Sequence, residues 1–222
     1  MARTLAFDRA EAVRRARSVF WSRGYESASV PELEAATGLS RSSIYNSFGS
    51  KRGLFDAAVD SYLEEVVRPR LADLAGTAVS AHALDEYLAA TQEIFQKPES
   101  LPAANGCLLI NSANAPIARD EHVSEAISAY RAELHAAFSR GLRAAAPGLD
   151  EQRHELLAEA VTGLVVAAFA LVRISPVEAA RLIESARQLA QTRAYGQRAL
   201  GPPRAEEFWP AVTVATGLAP SS

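Results

Sequence analysis

The chain has 222 residues, close to half of them hydrophobic, with 23 lysines and arginines against 26 aspartates and glutamates. That length suits one large or two small domains with a sizeable core, and a net charge of −3 excludes a protein that coats nucleic acid with its whole surface. A single cysteine, Cys107, excludes an intrachain disulfide framework and fits a reducing compartment.

Leucine, alanine and arginine are frequent and strand-type runs are scarce, so an all-α fold of about nine helices is expected. Asp8 and Glu11 form a capping-box pattern. Ala12, Val13, Ala16, Val19 and Phe20 follow at helical spacing, and Gly24 stops this first helix. Ser29-Val-Pro-Glu32 opens a short second helix that Gly38 ends. Ser40 caps a third, which runs to about Ser47. Ser50 caps a long fourth, which Pro69 is expected to kink or end. Two short helices joined by the glycine turn "TGLS" are a helix-turn-helix pattern.

Further helices are marked by Leu84 to Phe95, by "NGCLLINSAN" after a proline loop, by Val123 to Leu142, by Asp150 to Val172 and by Pro176 to about Ala194. In the sixth helix Asn105 is the expected cap, which puts Cys107 in the first turn. The run Ala160 to Val172 is apolar nearly all round, and such a helix must be covered on most sides. The run is shorter than the ~20 residues a bilayer demands. The N-terminus lacks the apolar core of a signal peptide, so a soluble cytoplasmic protein without a membrane partner is expected.

Charge is unevenly placed. Residues 1–55 carry nine cations against five acids, a net +4 that leaves −7 for the remainder. A basic head on an acidic body points to a polyanion partner at the N-terminus. With Ile44 and Phe48 turned inward, Arg41, Ser42, Tyr45 and Asn46 lie on the outer side of the third helix, with Ser43 at the edge and Ser40 at its start. This inventory suits a DNA groove: arginine pairs with guanine, asparagine reads adenine, and serine adapts to bases or phosphates. Lys51 adds charge near the same backbone. The helix starts at Ser29 and Ser50 offer N–H groups of the kind that bind phosphate.

These residues also carry a family resemblance. Ala16, Phe20, Gly24-Tyr25, Ser29, Gly38, Ser40, Ile44-Tyr45, Phe48, Ser50-Lys51 and Leu54 resemble the DNA-binding region of the tetracycline-repressor (TetR) family of bacterial regulators. Leu33-Glu34 stand where that family usually has isoleucine-alanine. The resemblance implies a homodimeric, ligand-responsive repressor that places two heads in successive major grooves of a palindromic operator. It implies a DNA-binding domain over residues 1–49 and a ligand and dimer domain over 50–195. Residues 196–222 form a tail of unassigned role. "NGCLLIN" is similar to one branch of the family, which includes sensors of electrophiles and aldehydes. A sensor or scaffold of the same fold without DNA binding is the alternative.

Within the body, Tyr87, Thr91, Cys107, Asn111, Asn114, Tyr130 and His135 are candidates for a small-molecule pocket. Cys107 has two readings, a buried core residue or a reactive thiol, and the core reading is favoured. Val161, Leu164, Val165, Ala168 and Val172 of the eighth helix, with Leu182, Ala186 and Leu189 of the ninth, are candidates for a dimer interface. The histidines, His82, His122, His135 and His154, show no ligand spacing. No metal, cofactor or catalytic constellation is therefore expected, and the chain is not read as an enzyme.

Overall fold

Every described element is helical in the computed structural model, which describes residues 8–191. The expected tail, and the last residues of the ninth predicted helix, fall outside that range. α1 spans Arg9–Arg23, and Asp8 caps it by accepting the Glu11 amide at 3.1 Å. α2, Val30–Thr37, opens on a complete capping box in which the Ser29 hydroxyl takes the Glu32 amide and Glu32 takes the Ser29 amide. α3, Arg41–Phe48, starts at Ser40, whose hydroxyl accepts from the Ser43 amide.

The turn between α2 and α3 depends on two residues. Gly38 adopts φ 71°, the left-handed conformation that glycine takes without steric cost. Thr37, buried, accepts the Leu39 amide at 3.2 Å and donates to the Leu33 carbonyl at 2.7 Å. Leu33, Leu39 and Ile44 then pack with Ala16 and Phe20 of α1 in one core. Phe20 meets Phe55 edge to face at 5.1 Å, which fastens the head to α4, Lys51–Tyr62.

Pro69 does not end the fourth helix. α4 runs into a π-helical turn, Leu63–Val67, and on through α5, Arg68–Ala75. The widened turn directly before Pro69 accommodates its missing N–H in the first turn of α5. α6, Ala83–Phe95, follows. The expected proline loop contains a short helix of its own, α7, Leu101–Asn105, capped by Ser100. Asn105 therefore closes α7 and does not cap the next helix. Cys107 is the cap residue of α8, Leu108–Ala113, without a side-chain capping bond, and lies outside its first turn.

The long helices α9, Glu121–Ala145, α10, Glu151–Leu171, and α11, Pro176–Gln191, complete the body. α10 packs against both α9 and α11, and α11 also packs against α6. At 21 residues α10 is long and apolar enough to cross a membrane, so length does not exclude a span as the sequence suggested. Its packing accounts for the composition instead, because Val161, Val165, Ala168 and Phe169 are buried against the neighbouring helices.

Head and body are joined through a buried bond. The Trp21 indole N–H of α1 donates to the Gly106 carbonyl at 3.0 Å, and its ring meets Tyr62 of α4 edge to face at 4.9 Å. Gly106 has φ 70°, and a Cβ there would stand 2.6 Å from the Phe169 carbonyl oxygen, so no other residue fits. Two further ties bind the same ends: the Ile117 amide donates to Glu26 at 2.7 Å, and Arg52 pairs with Asp120. Trp21→Phe keeps most of the apolar surface but leaves the buried carbonyl without this donor. The variant should lose ~1–3 kcal/mol of stability, read from urea unfolding curves.

Candidate functional site

The outer face of α3 is open. Arg41, Ser42, Tyr45 and Asn46 are exposed and Ser43 is half-buried, while Ile44 lies in the core. The Ser40 hydroxyl sits 2.9 Å from both the Ser42 and Ser43 hydroxyls, which makes one hydrogen-bonded group at the helix start. Glu34, the departure from the family pattern, accepts the Arg41 amide at 2.5 Å. It thereby satisfies one of the free N–H groups at the start of α3 and ties the two short helices together. The Arg41 guanidinium lies over the Tyr45 ring at 5.5 Å, so the two side chains share one patch.

Two residues expected to contact phosphate also have partners within the chain. The Ser29 amide and hydroxyl both go to Glu32, at 2.9 and 2.8 Å, so the capping box already occupies this N–H. Lys51 is half-buried, with Nζ 4.5 Å from the Tyr25 ring centre and 3.5 Å from the Glu26 carbonyl. Burial lowers its pKa from the usual lysine value.

Much of the head's positive charge is paired internally. Arg14 and Arg15 bond Glu11, Arg17 bonds Glu65, Arg23 approaches Glu32, and Arg52 joins Asp56 and Asp120. Among the described residues Arg9, Arg41 and Lys51 make no ion pair. Arg9, not among the predicted DNA contacts, stands over the Phe48 ring at 4.6 Å, at the far end of α3. Only tertiary packing brings the first residue of α1 to that place.

In the body, four of the predicted pocket residues converge. Cys107, Thr91 and Tyr130 are buried and Tyr87 half-buried. The Cys107 thiol donates to the Tyr130 hydroxyl at 3.5 Å. Tyr62 and Arg70, not among the predicted pocket residues, complete the cluster. Burial, then Cys107 beside it, holds the Tyr62 phenol well above its usual pKa, and burial does the same for Tyr130. Arg70 donates to the Thr91 hydroxyl at 3.2 Å and stands 5.9 Å from the Tyr87 ring centre. Beside them a cavity of about 280 Å³ opens between α5 and α6, lined by Arg70, Leu74, Ala83, Glu86 and Tyr87 among others.

Residues 13–58 match the model of the bacterial regulatory proteins of the tetR family, a stretch that runs from within α1 through α2 and α3 into α4. The chain is 32% identical over 142 residues to the uncharacterized HTH-type transcriptional regulator YezE of Bacillus subtilis (strain 168), covering 64% of this chain and 72% of YezE. The chain belongs to the TetR family. It is also 36% identical over 111 residues to the HTH-type transcriptional repressor ComR of Escherichia coli (strain K12), but spans only 51% of ComR and 50% of itself in doing so. Among solved structures it resembles a cysteine mutant of the TetR family regulator CifR complexed with 26-bp double-strand operator DNA. That likeness has 32% identity and TM-score 0.70, over 84% of this chain and 98% of the CifR chain.

The other predicted residues of this TetR-family chain lie apart from the phenol cluster. Asn111 donates to the Asn105 carbonyl at 2.7 Å and so braces the turn between α7 and α8. Asn114 is exposed and bonds back to the Ile110 carbonyl at 3.4 Å. His135 faces Glu155 and Glu159 of α10.

The candidate dimer residues need correction. Val161, Val165, Ala168, Val172 and Ala186 are all buried within the chain itself, because that side of α10 and α11 meets the body. Leu164, Leu182 and Leu189 are partly buried. The apolar face of α10 that the chain leaves exposed or half-buried is instead the stripe Leu156, Ala160, Gly163, Ala167 and Ala170, continued by Leu171 and Ile174, with Val177 of α11 alongside. Leu156, Ile174 and Val177 are 69%, 82% and 64% exposed. A groove of about 640 Å³ between α6 and α11 contains none of the predicted pocket residues and borders this face at Val177.

The raised phenol pKa values have a consequence with a defined sign. A folded-state pKa above the unfolded one means the favourable contribution is complete below the ordinary tyrosine value of about 10 and is lost as pH rises through the folded value. Stability should therefore fall from about pH 10 upward, and Tyr130→Phe should flatten that fall. Urea unfolding measured at a neutral and at an alkaline pH checks this.

Proposed function

We propose that this TetR-family chain is a homodimeric repressor that binds a palindromic operator through α3 and is released by a small molecule held in its body. In this reading residues 1–49 are the DNA-binding head and the body follows from residue 50. The protein works in the cytoplasm, by binding rather than by turnover. The observation that carries the reading is the open face of α3, with Arg41, Ser42, Tyr45 and Asn46 side by side on a helix whose other face is locked in the core. The structural likeness to an operator-bound CifR mutant supports it.

Arg41 and Asn46 read base edges, Ser40, Ser42 and Ser43 adapt to bases or phosphates, and Arg9, Tyr45 and Lys51 hold the backbone. With about three unpaired cations per head, a dimer neutralises roughly six phosphates, so binding should weaken by ~10³-fold between about 50 and 200 mM salt. Gel shifts with duplex DNA flanking the gene test this, and a flat salt response would refute it. Arg41→Ala should cost ~1–3 kcal/mol at one base pair and relax the preference there, whereas Arg9→Ala should weaken all sequences alike. Binding-site selection from random DNA separates the two outcomes.

The second copy sits on the uncovered stripe of α10. Its alternating spacing of four and three residues is that of a helix-pairing seam, and Gly163 and the alanines allow close approach. A Cβ at Gly163 meets nothing within 4 Å in the chain alone. Gly163→Arg should therefore fold normally, run as a monomer in light scattering and lose operator affinity. A dimer that survives the substitution places the interface elsewhere.

The effector site is the cavity beside Arg70, Tyr87 and Thr91, backed by the Tyr62, Cys107 and Tyr130 cluster. A small molecule with an acceptor oxygen would take the Arg70 hydrogen bond from Thr91. Tyr62 contacts both this cluster and Trp21 of the head, so displacement of α4 at Tyr62 changes how the head is held. That is a coupling between two sites through a shared element. Cys107, with no exposed surface, acts in this reading as a packed hydrogen-bonding residue, not as the target of an electrophile.

A further inference from the structure

α9 and α10 bring together three ligand-type side chains that lie apart from both the head and the phenol cluster. His135 projects from the middle of α9, and Glu155 and Glu159 are one turn apart on α10. The His135 Nε2 atom lies 3.5 Å from Glu155 Oε1 and 3.8 Å from Glu159 Oε1, and donor atoms of all three residues fall within 4.8 Å of one another. The nitrogen is buried and has no hydrogen-bond partner. An orphaned buried nitrogen is costly and calls for an occupant.

The distances say which kind of occupant. They are too long for hydrogen bonds, which close at about 2.7–3.2 Å. They are close to the separation of two donors on one tetrahedral ion, since bonds of ~2.0–2.1 Å place neighbouring ligands ~3.3–3.4 Å apart. Imidazole and carboxylate are also a donor set that zinc and its first-row neighbours accept. We propose that His135, Glu155 and Glu159 form a binding site for a divalent transition-metal cation of the zinc type.

The surroundings fit that role. Glu159 Oε2 accepts from Arg131 at 2.5 Å, which leaves Oε1 directed at His135. Such a bond from a neighbouring group orients a metal ligand. Three protein ligands leave a fourth position for water. The bound ion cross-links α9 to α10, the helix that carries the uncovered apolar stripe, and brings positive charge to an acidic part of the body.

The test uses the full-length chain without a histidine tag, cleared of metal by a chelator and titrated with Zn²⁺ in a calorimeter. One Zn²⁺ should bind per chain and raise the melting temperature. His135→Ala should weaken binding by about tenfold or more, with an unchanged melting temperature in chelator as the control for folding. Glu155→His keeps a metal donor while removing the carboxylate charge, so one-ion binding should persist in it and be lost in Glu155→Ala. Failure to see saturable binding, or binding that His135→Ala leaves unchanged, overturns the site and reduces the three residues to an ordinary ion-pair cluster. Loss of binding in Glu155→His equal to that in Glu155→Ala also overturns it.

Discussion

The bond from the Trp21 indole to the Gly106 carbonyl sets the position of the head on the body. It is buried, so no water substitutes for either partner when it breaks. It also needs Gly106, whose positive φ and close approach to the Phe169 carbonyl leave no room for a side chain. One residue from α1 and one from the turn before α8 thus help fix where the head, with α3, stands on the body. The outer ties, Glu26 to the Ile117 amide and Arg52 to Asp120, are polar and more exposed. They are the weaker part of the joint.

That joint places the phenol cluster in a meaningful position. Tyr62 touches Trp21 on one side and the Cys107 and Tyr130 pair on the other. The π-helical turn begins at the next residue, Leu63. Such turns gather at functional places because the extra residue relaxes the helix ladder. α4 therefore reaches the body through its least regular segment. Arg70 and Tyr87 stand beside one another, and Tyr62 meets Trp21 of the head ring to ring.

The electrostatics of the head are narrower than its net charge suggests. Most of its arginines hold Glu11, Glu32, Asp56, Glu65 or Asp120, which fixes the helices of the head against one another and against the body. Arg9, Arg41 and Lys51 are left without ion pairs among the described residues. Two of them lie over rings of the α3 patch, Arg9 on Phe48 and Arg41 on Tyr45, and the third lies over Tyr25. Aromatic faces hold these side chains without neutralising them, so the unpaired charge of Arg9 and Arg41 lies beside α3.

Local sequence by itself determined the all-helical class, the helix-turn-helix and the open face of α3. Ser29, Gly38, Ser40 and Gly49 act within a turn of their own position, and such short-range chemistry is legible without a fold. Tyr87, Thr91, Cys107 and Tyr130, which meet in the fold, were named from periodicity and residue type together with Asn111, Asn114 and His135, which lie apart from them. Tertiary structure alone decided the rest. Helical spacing marked α10 as apolar nearly all round but did not say which side meets the chain's own body, so Val161, Val165 and Ala168 were placed on the wrong face. Arg9 over Phe48, Tyr62 beside Cys107, and His135 against Glu155 and Glu159 join residues on different helices. No spacing along one helix records such meetings, because they depend on how separate helices pack, and packing is settled by the whole core at once.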